Sequence, residues 1–248
     1  MKRTITIILL GILVAIPCLA QATQTKPAES LPNIDQIIAK YVDALGGKAA
    51  LEKITSRTQK GTFEIPAMGA GGSMEGYEKA PNKSLMIIEI AGFGTIQQGF
   101  DGTVAWSQDP QTGLREKTGG ELNDAKLDAE LYKPLKMKEL YPTMIVKSKE
   151  KVGDKEAYLV EAKPAAGSPE KWYFDTQTGL LIRQDTERES PNGREMSEIY
   201  LENYKDVDGV KVPHTVRIVT PQFSITLQTT EVKQNVPIDD AKFAKPKS

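Results

Sequence analysis

The hydrophobic positions change their period once along the chain. Between Asn33 and Gly47 the apolar residues Ile34, Ile37, Ile38, Tyr41 and Leu45 fall at i, i+3, i+4, i+7 and i+11, which is one face of an α-helix. Asn33 is placed to cap it, and Gln36 three residues later completes a capping-box pattern. Gly46-Gly47 supplies a left-handed stop, and 48–54 reads as a second, short helix. After Thr58 the period becomes two. Gly61, Phe63 and Ile65 alternate with polar neighbours, as do Val210, Val212, His214, Val216 and Ile218, and then Phe223, Ile225 and Leu227. Such alternation gives each strand one wet and one dry face, the mark of antiparallel sheet. Turn pairs such as Pro81-Asn82, Asp101-Gly102, Gly153-Asp154, Thr178-Gly179, Asn192-Gly193 and Asp208-Gly209 separate the runs. About eleven strands are predicted, near 58–65, 73–79, 84–90, 95–100, 103–108, 143–151, 156–163, 170–175, 180–189, 195–206 and 210–219, with a possible twelfth at 223–234. One interior helix is predicted over 121–131, with Leu122, Leu127 and Leu131 as its apolar points.

A sheet of this length must manage its edges and its dry face. It can close or half-close into a barrel, or split into a sandwich, and the front helix can cover an open mouth. No linker or convincing repeat interrupts the pattern. Residues 33–248 are therefore predicted to form a single, mainly β (α+β) domain, preceded by a polar, flexible lead-in at 23–32.

The first residues follow another rule. Lys2 and Arg3 precede an apolar run from Ile5 to Ile16, Pro17 breaks it, and Ala20-Gln21-Ala22 offers small residues at a cleavage site. That is the anatomy of a secretory signal peptide over 1–22. The run is too short for the roughly 20 helical residues that span a bilayer. Export to a periplasm is the expectation. The alternative is an outer-membrane lipoprotein anchored through Cys18, but Pro17 is a poor residue to precede an acylated cysteine. Cleavage after Ala22 removes the one cysteine, so the exported chain has no disulfide to hold its fold.

Composition then narrows the chemistry. The chain of 248 residues has 32 Lys+Arg against 33 Asp+Glu, so no basic excess favours nucleic acid. With one Cys and one His, a thiolate zinc site and a His-rich metal site are both excluded. No G-x-S-x-G elbow or H-E-x-x-H is present, and Asp206-Val207-Asp208-Gly209 fits a hairpin better than a calcium loop. Lys117-Thr118-Gly119 matches one penicillin-recognising element, but the order of its companion motifs is wrong. No enzyme activity and no cofactor are expected. His214 lies on the dry face of its strand, where it is a core residue, a polar group lining a ligand cavity or, least in keeping with the pattern, a base.

Large apolar residues remain. Phe63, Leu85, Ile87, Phe93, Phe100, Trp106, Trp172 and Phe174 lie in or beside strands. In a solid core they are packing, whereas in a concave half-barrel the same residues, with His214, would line a hydrophobic-ligand cavity. The Ala91-Gly92-Phe93-Gly94 loop suits a gate as well as a buried corner.

Several stretches resemble a known family. Tyr41-Val42-Asp43-Ala44-Leu45-Gly46-Gly47-Lys48 running on to Ile54, followed by the Gly61-Thr62-Phe63 strand, is similar to the start of periplasmic outer-membrane lipoprotein-sorting (LolA/LolB-like) proteins. Gly99-Phe100-Asp101-Gly102 with Trp106, Tyr173-Phe174-Asp175, Tyr204 to Pro213 and Asn235 to Phe243 continue the likeness in order. The resemblance implies an incomplete antiparallel β-barrel of about eleven strands, with helices as a lid; here Ile34, Ile37, Ile38, Tyr41 and Leu45 would be the lid face. It also implies binding of acyl chains, of a lipid or of a lipoprotein in transit, by a monomer without cofactor. The same fold also serves as an envelope sensor that binds protein, so an inner- or outer-membrane partner is a second expectation.

Overall fold

The computed structural model describes residues 30–190 and 193–247. The chain divides into Met1–Ser30 and Leu31–Ser248, and the second unit is the one described here. The expected signal peptide and Cys18 lie outside the described residues, as does Asn192 of one expected turn.

The front helix forms as its capping box requires. α1 (Ile34–Ala44) begins at Asn33, whose side chain accepts from the Gln36 backbone while Gln36 Oε1 accepts from the Asn33 N–H, both at 2.9 Å. Gly46 ends the segment at φ 124°, and a Cβ there would stand 2.0 Å from the Gly209 carbonyl oxygen, so only glycine lets this turn approach a later hairpin. α2 (Lys48–Leu51) is shorter than the 48–54 expected.

Thirteen strands follow among the described residues. They are β1 (Ser56–Ile65), β2 (Ala70–Lys79), β3 (Lys83–Ile90), β4 (Gly94–Phe100), β5 (Ala105–Asp109), β6 (Gly113–Glu116), β7 (Thr143–Val152), β8 (Lys155–Lys163), β9 (Glu170–Asp175), β10 (Leu181–Ser190), β11 (Gly193–Val207), β12 (Val210–Val219) and β13 (Ser224–Gln234). They make one antiparallel sheet in the order β6-β5-β4-β3-β2-β1-β13-β12-β11-β10-β9-β8-β7. The expectation of about eleven strands is thus corrected. The possible twelfth is a full strand, β13, and β6 has only four residues, too few for alternation to register. Between the two sheet edges run α3 (Gly119–Ala129), a 3-10 turn at Lys133–Leu135 and α4 (Met137–Leu140); of these, periodicity predicts only α3.

α3 reveals how the sheet curves. It packs against β4 and β5 and also against β10. β4 and β10 stand seven strand steps apart in the sheet order, about 33 Å if the sheet were flat. A helix of 11 residues is only about 16 Å long. The sheet must therefore curl, with α3 on its concave side. Its apolar residues Leu122, Ala125 and Ala129 meet Phe100 and Ala105, and its acids Asp124 and Asp128 meet Arg188 of β10 at 3.2 and 3.3 Å.

Candidate functional site

The cross-strand register sorts every strand residue to one face. Paired residues share a face, so Phe100 with Ala105, Ser84 with Phe100, Glu78 with Ser84, and Arg57 with Glu78 all point to the concave side. Carried along the sheet, the same rule puts Phe63, His214, Trp172 and Phe174 there too.

The helix-covered half of this face is packed. Trp172 and Phe174 are buried with Val160, Leu181, Met137 and Tyr141 under Ile37, and Ile34, Ile38 and Tyr41 pack at the margin. Tyr141 and Tyr41 meet the Trp172 and Phe174 rings edge-on, at 4.5 and 5.3 Å between centroids. Leu45 joins Leu51, Ile54, Leu180 and Val210. The helical face therefore sits on the sheet as its periodicity implies. Three cavities border it. One of about 220 Å³ lies among Tyr41, Leu45, Arg57, Leu131, Tyr204 and Val212. Another of about 240 Å³ lies between α1 and Phe174, and one of about 50 Å³ reaches Trp172. Burial pushes the Tyr41 phenol up to about 12, with the Arg57 charge working against it.

A charged centre lies inside the same half. The Glu170 carboxylate, 1% exposed, accepts from Trp172 Nε1 at 2.8 Å, Gln184 Nε2 at 2.5 Å and Arg188 Nη1 at 2.9 Å. Tyr141 Oη stands at 3.4 Å, its phenol pushed up by burial and by the Glu170 charge. Burial works against the Arg188 charge, but Asp128, Glu170 and Asp124 hold it protonated. This arrangement ties α3 to the sheet. Among the described residues no group of three His, Cys, Asp or Glu side chains is placed to hold a metal ion.

Four residues expected in the cavity lie elsewhere, three of them on the other face of the sheet. Leu85 pairs with Gly99 and Gly99 with Trp106, so Leu85, Ile87 and Trp106 belong to the convex face. There they are covered by the chain's end, whose Ile238 and Phe243 pack on them while Phe243 O accepts from Trp106 Nε1 at 2.9 Å. Alternation separates two faces but does not name which is concave, hence the misplacement. Phe93 is 40% exposed at the tip of the β3–β4 hairpin. His214 is buried, with Nδ1 2.9 Å from the Val212 carbonyl of its own strand.

The other half of the concave face was not singled out in the sequence. It carries Ile65 of β1, Ile88 and Ile90 of β3, Ile96 of β4, Val216 and Ile218 of β12, and Ile225 and Leu227 of β13, all half-buried. None belongs to the clusters that the helices cover. Phe63 and Met74, both buried, lie beside this aliphatic floor, Phe63 paired with Leu227 and Met74 with Ile88. Its signal was present as the alternating Met86-Ile88-Ile90 and Val216-Ile218 runs.

An open antiparallel sheet curled around helices, with an aliphatic concave floor, can be compared with known folds. No family model and no curated protein matches the sequence. Solved structures do match. A LolA superfamily protein from Nitrosomonas europaea superposes with a TM-score of 0.56 over 87% of this chain and 99% of its own, at 14% identity. The chain has a LolA-like fold. A DUF1329 family protein from Desulfovibrio piger gives a TM-score of 0.59 at 13% identity, over 85% and 97% of the two chains. A domain from Vibrio parahaemolyticus, named for outer membrane lipoprotein sorting, gives 0.58 at 13% over 86% and 98%. At such identities the likeness is one of fold.

Proposed function

We propose that this LolA-like chain is an exported, non-enzymatic carrier that binds the acyl chain of a lipid or lipoprotein in an incomplete barrel, along the half of the concave face that α1 leaves uncovered. The observation that carries the reading is the half-buried aliphatic floor of β1, β3, β4, β12 and β13 on a concave face. Each CH₂ removed from water contributes about 0.8 kcal/mol, so part of one acyl chain suffices for useful affinity. Neighbours named for LolA or for lipoprotein sorting agree with this chemistry.

The test is uptake of a fluorescent long-chain fatty acid by the purified protein, compared with Ile218→Glu. Saturable uptake that the variant loses supports the reading; no uptake by the native chain ends it. A second reading, a protein-binding envelope module, is favoured by the packed helix-covered half, where Trp172 and Phe174 are 3% and 1% exposed. Capture of one specific envelope protein together with absent lipid uptake would select it.

A further inference from the structure

Two buried polar side chains of the concave face lack the partners that burial demands. Arg57 of β1 stands opposite Gln234 of β13, so the two share that face with their Cβ atoms about 5 Å apart. Gln234 is 8% exposed, yet neither its Oε1 nor its Nε2 meets a hydrogen-bond partner among the described residues. Nor does Arg57 Nε, although Arg57 Nη1 donates to Glu78 at 3.1 Å. Leaving such a group buried and unpaired costs about 1–3 kcal/mol, and native structures pair nearly all of them. Arg57 lines the cavity of about 220 Å³ beside α1, together with Tyr41, Leu131, Tyr204 and Val212. That volume is several times the roughly 30 Å³ share of one water.

The charges around this cavity are already compensated. Glu78 has Arg57, Asp128 has Lys133 at 3.3 Å, and Glu130 has Lys136 at 2.9 Å. Lys211 is exposed to solvent. Burial holds the Tyr41 phenol protonated and so neutral. What remains unpaired is the Arg57 Nε–H and the Gln234 Nε2 donors, with Gln234 Oε1 as an acceptor. A charged guest would arrive without a counterion, whereas an uncharged guest with both acceptor and donor answers every unpaired atom. We propose that this cavity takes the uncharged, hydrogen-bonding head of an amphiphile, either the hydroxyl-and-ester head of an acylglycerol or the carboxamide of a fatty amide. The inference rests on the acyl-chain reading of the floor and adds which head that chain carries. On β1 the concave positions run Arg57, Gln59, Gly61, Phe63 and Ile65. Arg57 lies about 14 to 20 Å from Gly61 and Phe63, where the floor begins. One acyl chain is of similar length, about half of a hydrocarbon core roughly 30 Å thick. A head at Arg57 therefore lays its tail onto the uncovered floor.

The experiment is competitive binding of probes that share one oleoyl chain to the chain purified after export, at neutral pH, read by native mass spectrometry. The probes are monooleoylglycerol, oleamide, methyl oleate and oleate. Monooleoylglycerol or oleamide should bind at least about tenfold tighter than methyl oleate, which lacks a donor, and than oleate, whose charge finds no partner, so that it binds through its chain alone. Whichever of the first two leads identifies the head. Gln234→Leu should lose that preference while still binding methyl oleate. It should also be no less stable in urea than the native chain, because it removes two unpaired polar atoms. Tightest binding of oleate, equal affinity for all the probes, an unaltered preference in Gln234→Leu, or a clear loss of stability in that variant would each overturn the proposal and leave the carrier reading intact. Binding of none of the probes would end both.

Discussion

Substituting Arg188→Met would leave the Glu170 carboxylate buried with no other cationic partner among the described residues. Glu170 is 1% exposed and Arg188 Nη1 stands 2.9 Å from it. Removing one partner of a buried ion pair costs about 3–5 kcal/mol, because the remaining charge stays away from water. Here the lower end applies, about 3 kcal/mol, since Trp172 Nε1 and Gln184 Nε2 still donate. The lost link to Asp128, whose side chain is half exposed, adds little, and Asp124, 15% exposed, loses Arg188 as well but keeps the Glu189 N–H as a donor. For a chain of this size that corresponds to a fall in Tm of roughly 6–12 °C. Glu170→Gln keeps an acceptor for Trp172 and leaves Arg188 with Asp124, so it should cost less, about 1–2 kcal/mol. Urea unfolding of both single variants and the double variant gives the two costs and their coupling. A loss below 1 kcal/mol in Arg188→Met, or a larger loss in Glu170→Gln, would refute the claim that this pair ties α3 to the sheet.

Other expectations follow from the convex face and the concave floor. Gly99→Ala would put a Cβ 2.4 Å from the Trp106 ring; overpacking of this kind costs about 1–3 kcal/mol, and an unchanged urea midpoint would contradict the close approach. Trp106→Phe leaves the Phe243 carbonyl without its donor, so amide exchange in 236–245 should speed up while β8 and β9 stay protected. Lys79 and Lys83 hold the Asp240 carboxyl down to about 2. A lowered carboxyl stabilises above its unfolded value and loses that contribution as pH falls through the folded one, so the tail should loosen between about pH 4 and 2. NMR of the Ile238 methyl across that window reads it, and a constant signal would count against the tether.

Much of the fold was legible because local signals agreed with it. The Asn33/Gln36 box, the i, i+3, i+4 stripe of α1 and the hairpin pairs such as Asp208-Gly209 each fix short-range geometry. What was not legible depends on the third dimension. Leu85, Ile87 and Trp106 show the same alternation as Phe100, yet they belong to opposite faces, and only the register with Gly99 assigns them. β6 and α4, at four residues each, lack the length for a period to appear. The aliphatic floor was visible as alternation but not as a surface, because its members come from β1, the β3–β4 hairpin and the β12–β13 hairpin, the last of which is distant in sequence from the others. Nor could the Glu170–Arg188 centre be read in advance. Glu170 looks like one of many acids until Trp172 and Gln184 are brought to the same face.

The central claim is that an acyl chain lies along the uncovered half of the concave face. Isotope-labelled isoleucine methyl groups and a spin-labelled stearate test it directly. The methyl signals of Ile65, Ile88, Ile90, Ile96, Ile218 and Ile225 should broaden on titration, while those of Ile54 under the helices and Ile238 on the convex face remain sharp. Uniform sharpness at saturating stearate, or broadening confined to Ile238, would contradict it.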